Sequence, residues 1–242
     1  MVLILTEREH GNANLVAPYL NLKEECIVLF HDRRYKTKRK RQLKKISKKG
    51  LIGPIIGWFF RKSYSIPGDN IFEVCAKNNI TLLRAKDFNE VSYYISQYNP
   101  KLILSLGNGY IPKRIFTTAP MWNVHFEKLP EYRNAQPVIW SLFKGKSSTA
   151  YTIHEVNETI DGGRILFVQT CPVRMSRTLY HTIQETYISM ANDLAKQLLV
   201  LIQKEVLVKK QKHDQYQHFT TPTVSEWLII YKEWRKLKKQ ID

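Results

Sequence analysis

A chain of 242 residues fits one large domain, alone or with a small appendage. Its 43% hydrophobic and 12% aromatic content can fill a core, which excludes an intrinsically disordered chain. The formal net charge of +17 points to a polyanionic partner, whether phosphate, nucleic acid or an anionic membrane surface, and specifies no chemistry by itself.

The opening MVLILTEREH has too short an apolar stretch for a signal peptide. Residues 2–6 and 26–30 are short apolar runs separated by a helix-length segment at 12–22, the opening of a β-α-β unit. Residues 31–50 then carry eleven Lys or Arg against a single Asp, a basic insertion leading into LIGPIIGWFF at 51–60. That apolar run is too short to span a bilayer and contains Gly and Pro, so no transmembrane segment is expected. From Ile71 the alternation resumes: helix-like 71–79, strand-like 80–85, helix-like 88–98, strand-like 101–107, a short helix at 111–116 and a strand at 121–126. This alternation predicts an α/β fold, a doubly wound, mostly parallel, Rossmann-like sheet with helices on both faces.

Residues 176–204 are the clearest helix, with Leu179, Ile183, Tyr187, Met190, Leu194, Leu198 and Leu201 on one stripe and Ser176 as the predicted cap. The expected division is a catalytic domain at 1–204 and a C-terminal appendage at 205–242, which ends in the amphipathic SEWLIIYKEWRKLKK. Cys26, Cys75 and Cys171 show no metal-ligand or CxxC spacing, and an odd count in a chain this long argues against a disulfide framework. A soluble, cytoplasmic protein without a metal is the expectation.

Two polar clusters stand out. In NVHFEKLPEYRNAQPVIW, from Asn123 to Trp140, strand periodicity sends Asn123 and His125 to one face while Val124 points into packing. In TIHEVNETIDGGRIL, at 152–166, an alternating stretch runs into an acidic loop closed by Gly162 and Gly163, whose conformational freedom would let Asp161 sit on a tight turn facing a cleft. Open parallel sheets bind ligands beyond the carboxyl ends of their strands, where both clusters are expected. Taken singly, Asn123 reads as a strand-end turn residue, His125 as a half-buried imidazole and Asp161 as a turn former.

Together, Asn123-x-His125, Leu129-Pro130-x-Tyr132-Arg133 and Asp161-x-Gly163, with Asn123 and Asp161 38 positions apart, resemble the formyltransferase family that uses 10-formyltetrahydrofolate. The resemblance covers roughly residues 1–203 and is greatest to the nucleotide-sugar N-formyltransferases of surface-polysaccharide (O-antigen, lipopolysaccharide) synthesis. There are departures: Phe126, Glu127 and Lys128 follow the His where the family usually has Pro-Ser-Leu, Asn134 stands for a common Gly, and Ala150 replaces another. Asn tolerates left-handed backbone better than most residues.

The resemblance implies 10-formyltetrahydrofolate as donor and Asn123, His125 and Asp161 as the catalytic set. An amine attacks the formyl carbon; Asn123 and His125 donate to the oxyanion, and Asp161 orients His125 or accepts the amine's proton. His154 reads either as a strand residue facing a neighbour or, as the resemblance to some relatives implies, as a residue standing behind them. The folate would lie against Gly109, Tyr110 and Ile111 and against Val156, Asn157, Glu158, Thr159 and Ile160. Arg8 and Arg133 are candidates for the diphosphate of a nucleotide sugar, of the dTDP-4-amino-4,6-dideoxyglucose type. The short tail suggests a homodimer and weighs against the RNA-binding domain of a methionyl-tRNA formyltransferase, so no stable nucleic-acid partner is expected, although the basic 31–50 segment is compatible with RNA. A non-catalytic folate-binding relative is disfavoured because all three catalytic groups are present.

Overall fold

The computed structural model describes residues 1–32, 52–203, 209–211 and 217–240. Apart from His31 and Asp32, the basic 31–50 segment lies outside them. Strand β1 (Val2–Thr6) is wholly buried and pairs in parallel with β2 (Cys26–His31) and β4 (Leu102–Ser105). An uninterrupted apolar run suits a central parallel strand covered on both faces. The flanking strands are β3 (Thr81–Ala85), parallel to β2, and β5 (Met121–His125), parallel to β4. Beyond β5 the direction reverses: β7 (Ser148–Glu155) and β8 (Ile165–Pro172) form an antiparallel pair, giving the order β3-β2-β1-β4-β5-β7-β8.

Side-chain alternation along β1 divides the interior in two. Val2 and Ile4 join a core with α1 (Ala13–Asn21) and the long α7 (Leu179–Gln203), and Leu3 and Leu5 join one with α4 (Phe88–Tyr98) and α5 (Lys113–Phe116). The doubly wound reading is therefore correct. Between these lie α2 (Ile52–Phe60), a 3-10 turn at Arg61–Tyr64, α3 (Ile71–Lys77), which is opened by an Asn70–Glu73 capping box, and α6 (Ile139–Phe143). Of the predicted α7 stripe, Leu179, Ile183, Tyr187, Met190, Leu194 and Leu198 are buried. Its cap is Thr178, whose Oγ1 accepts from the His181 N–H at 3.2 Å; Ser176 instead donates its hydroxyl to Glu185 at 2.8 Å.

The C-terminal segment is built into the fold. Helix α8 (Val224–Lys238), opened by a Thr223–Glu226 capping box, buries Trp227, Ile230, Trp234 and Leu237 in the larger core. A parallel ladder joins β6 (Tyr132–Arg133) to β9 (Gln217–His218). Among the described residues no helix is long and apolar enough to cross a membrane.

Candidate active site

The register of three neighbouring strands sets Ser105 of β4, Asn123 of β5 and His154 of β7 in one row. Their polar groups are linked in sequence. Asn108 Nδ2 donates to Ser105 Oγ at 3.1 Å, and Ser105 Oγ donates to Asn123 Oδ1 at 3.0 Å. His154 Nδ1 lies 2.8 Å from the Glu155 carbonyl, which can only accept, so that nitrogen carries the proton. In the neutral ring His154 Nε2 then accepts from Asn123 Nδ2 at 3.2 Å. Asn123 is thereby held at both ends, with its second amide hydrogen left for the cavity it lines.

One strand position pair further along β5, His125 Nε2 donates to the Tyr132 carbonyl at 2.7 Å. Its Nδ1 is the chemically available nitrogen and lies 3.4 Å from Asp161 Oδ2. Asp161 also places Oδ1 3.6 Å from His154 Nε2 and accepts the Asn134 N–H at 2.8 Å. Burial alone would push the Asp161 carboxyl up, but the charge of the protonated His125 ring, the His154 ring when it too is protonated, and the Asn134 N–H outweigh it and hold the group well below the usual carboxylate range.

The local backbone explains this convergence. Asn134 adopts φ +56, the left-handed geometry its side chain tolerates, and Asp161 itself takes φ +52. The glycines serve a different purpose from the one predicted: a Cβ on Gly163 would stand 1.7 Å from the Glu155 carbonyl oxygen, so close approach, not a positive φ, demands glycine there.

Asn123, His125 and Asp161 line a cavity of about 470 Å³. Gly109, Tyr110 and Ile111 form one wall, and Val156, Asn157, Glu158, Thr159 and Ile160 another, the two segments that the resemblance assigns to the folate. Arg8 lines it too, its stem resting where Cβ atoms on Gly11 and Gly107 would approach to 3.0 Å. Arg133 does not. It is fully buried, with Nε and Nη2 donating to Gln211 Oε1 at 3.1 and 2.7 Å, so its assignment to substrate is corrected. Gln211 in turn donates to the carbonyls of Asp161 at 3.0 Å and Gly163 at 2.7 Å. Sequence reasoning missed Gln211, Ser105 and Asn108, as well as Asn12, Tyr64 and Tyr187 on the Arg8 side of the cavity. Only the row register could have flagged Ser105; nothing in QKHDQYQH marks Gln211.

Glu127, one of the departures, is fully buried. It accepts from the Ser141 N–H at 3.3 Å, Ser141 Oγ at 2.8 Å and Thr149 Oγ1 at 3.2 Å. Burial pushes its carboxyl up to about 7, with these donors offsetting part of the effect.

Residues 63–202 match the family described as Formyl transferase. The methionyl-tRNA formyltransferase of Thermosipho africanus (strain TCF52B) is 30% identical over 129 residues, covering 52% of this chain and 42% of that protein. The chain thus spans less than half the length of this curated relative. Among solved structures, the phosphoribosylglycinamide formyltransferase of Anaplasma phagocytophilum superposes with a TM-score of 0.61 at 13% identity, over 90% of this chain and 98% of that one. The N-formyltransferase of Helicobacter canadensis, in complex with folinic acid and dTDP-3-aminofucose, gives 0.60 at 16% identity, over 93% and 71%. At such identities the likeness shows a shared fold.

Proposed function

Because the chain belongs to the formyl transferase family, we propose that it is an enzyme moving a formyl group from 10-formyltetrahydrofolate to the amine of a nucleotide-linked amino sugar, with dTDP-4-amino-4,6-dideoxyglucose as the preferred acceptor. The observation that carries this reading is the convergence of Asn123, His125 and Asp161 on one cavity, between the 109–111 and 156–160 walls. Its volume of about 470 Å³ falls among small-molecule sites. Apolar Ile111 and Val156, exposed Tyr110 and Ile160, and the main chain of two loops suit a flat heteroaromatic with polar edges.

The bound donor supplies an activated formyl carbon. Asn123, fixed by Ser105 and His154, offers its remaining N–H to the oxygen on which negative charge builds. His125, with Nε2 committed to the Tyr132 carbonyl, acts through Nδ1, which takes the proton released by the amine and returns it to the donor nitrogen as the bond between that nitrogen and the formyl carbon breaks. Asp161 stabilises the resulting imidazolium. Arg8 brings a positive charge to the cavity and suits the diphosphate of the acceptor.

A second reading, methionyl-tRNA as acceptor, is favoured by the curated relative and by the charge of +17. Incubating the protein with 10-formyltetrahydrofolate and either a panel of nucleotide amino sugars or methionyl-tRNA, with products identified by mass, separates the two. The sugar is expected to be formylated faster by orders of magnitude and with shallow salt dependence. Faster formylation of methionyl-tRNA, falling steeply with salt, would assign the enzyme to RNA.

A further inference from the structure

Helix α2, IGPIIGWFF, is apolar all round, a composition that normally marks a buried helix. Its glycine face is buried. A Cβ on Gly57 would lie 2.5 Å from Thr221 Cγ2, and one on Gly53 3.2 Å from the Pro222 carbonyl. That contact turns other large side chains outward: Ile52 and Ile55 are 60% exposed, Trp58 59% and Phe59 52%. On α8, Leu228, Ile229 and Tyr231 are exposed as well. Between the two helices and the start of α7 runs an apolar groove of about 560 Å³, lined by Phe59, Phe60, Tyr180, Trp227, Leu228 and Tyr231. Contiguous apolar surface of this kind marks an interaction site.

The surroundings of the groove are cationic. Lys62 sits over the Trp58 ring at 5.4 Å, beside exposed Arg61. Tyr231 passes from the apolar groove into a second concavity formed with Lys232, Arg235, Lys236 and Lys239, all exposed. The nearby carboxylates are already engaged, Glu226 in the α8 capping box and Glu233 at 3.8 Å from Lys236. The chain as a whole carries +17.

We propose that the α2–α8 face docks on the surface of an anionic lipid bilayer, with Ile52, Ile55, Trp58 and Phe59 entering the acyl boundary and the cations of α8 meeting the headgroups. Nine residues cannot span a bilayer, but a short apolar helix with aromatics and a cationic border suits the interface plane. A two-fold contact centred on the exposed side of α8 would set Lys232, Arg235 and Lys236 close to the same cations of the partner copy. Nucleic acid matches the cations but leaves Ile52, Ile55, Leu228 and Ile229 without a stacking role. The inference does not depend on which amine the active site formylates.

Co-sedimentation of the full chain with vesicles tests it. Binding is expected to mixed phosphatidylglycerol–phosphatidylcholine vesicles, to be absent with phosphatidylcholine alone, and to weaken as salt rises. Lys232→Gln/Arg235→Gln/Lys236→Gln should weaken binding about 100-fold, at about fivefold per cation. Ile55→Ser/Trp58→Ser should weaken it by at least about tenfold, with melting temperature and vesicle-free formyl transfer unchanged. Failure to bind phosphatidylglycerol vesicles would overturn the proposal, as would binding indifferent to Ile55→Ser/Trp58→Ser. A stable dimer in solution that Ile55→Ser/Trp58→Ser dissociates would assign the face to a second copy. Transfer RNA binding lost in the same variant would assign it to nucleic acid.

Discussion

Asn123 and His125 carry different hydrogen-bond commitments. Each has one polar group fixed by the fold and one left for chemistry. Either Asn123→Ala or His125→Ala is expected to lower turnover by roughly two to three orders of magnitude while changing donor affinity far less, since both act on charge that appears only in the transition state. Asp161→Asn keeps the size but removes the charge shared by His125 and His154, so single-turnover rates should collapse similarly. Because the folded carboxyl titrates below its ordinary value, Asp161 stabilises the fold above the ordinary carboxylate range and loses that contribution only as pH falls through the lower folded value. Glu127 has the opposite sign. Raised to about 7, its carboxyl binds a proton more tightly in the folded chain, so stability is full below its ordinary value and declines as pH rises through about 7, by roughly 3 kcal/mol in total. Glu127→Gln can donate to Ser141 and Thr149 hydroxyls and should flatten that decline in denaturant titrations between acid and mildly alkaline pH. An unchanged slope would show that Glu127 is not the group titrating. That Asn123 and His125 share a face was legible because strand periodicity dictates where residues two apart point, whereas their grouping with Asp161 came from the family resemblance. Arg133 was not legible: its direction is decided by Gln211, 78 positions later.

At the scale of elements, most strands and helices of the parallel half followed from apolar runs, whereas the reversal at β7 and β8 did not. Hydrophobic pattern marks which face is buried but not strand direction, and Ser148–Glu155 would read alike either way. Nor could local pattern show that the segment after α7 returns to the loop of Asp161. There, β9 pairs with β6, Asn134 Nδ2 donates to the Phe219 carbonyl at 2.8 Å, and Gln211 joins Arg133 to the backbone of Asp161 and Gly163. Gln211 is therefore a positioning residue. Gln211→Leu removes its buried partner from the Arg133 guanidinium and frees the 161–163 carbonyls, with an expected cost of about 2–4 kcal/mol. Turnover should fall while the donor KM moves little. Turnover unchanged despite that loss of stability would mean that Gln211 serves stability alone.

For the whole molecule, the question is whether residues 205–242 form an appendage or part of the core. Their composition, a polar link and then an amphipathic helix, reads as a separate unit because a sequence does not reveal what an apolar stripe covers. In the structure the α8 stripe covers the catalytic domain itself. Trp227 stacks on Phe60 with ring centroids 4.6 Å apart, and Trp234 donates its indole N–H to Thr182 Oγ1 of α7 at 2.9 Å. These side chains belong to the same core as Val2 and Ile4 of β1 and Val124 of β5, the strand that carries Asn123 and His125. Trp234→Ala should accordingly cost about 3–5 kcal/mol, through the cavity left and the lost indole hydrogen bond to Thr182. The loss should fall on the whole chain, with far-ultraviolet circular dichroism and tryptophan fluorescence still following one coincident transition at a lower temperature. A detachable appendage predicts the reverse, a small early transition and a catalytic domain that melts where it did before. The choice also bears on catalysis, because β9 and Gln211 lie between α7 and α8 in the chain and reach the Asp161 loop. If one cooperative unit holds all three, Trp234→Ala should lose formyl transfer on heating in step with global unfolding, and not ahead of it.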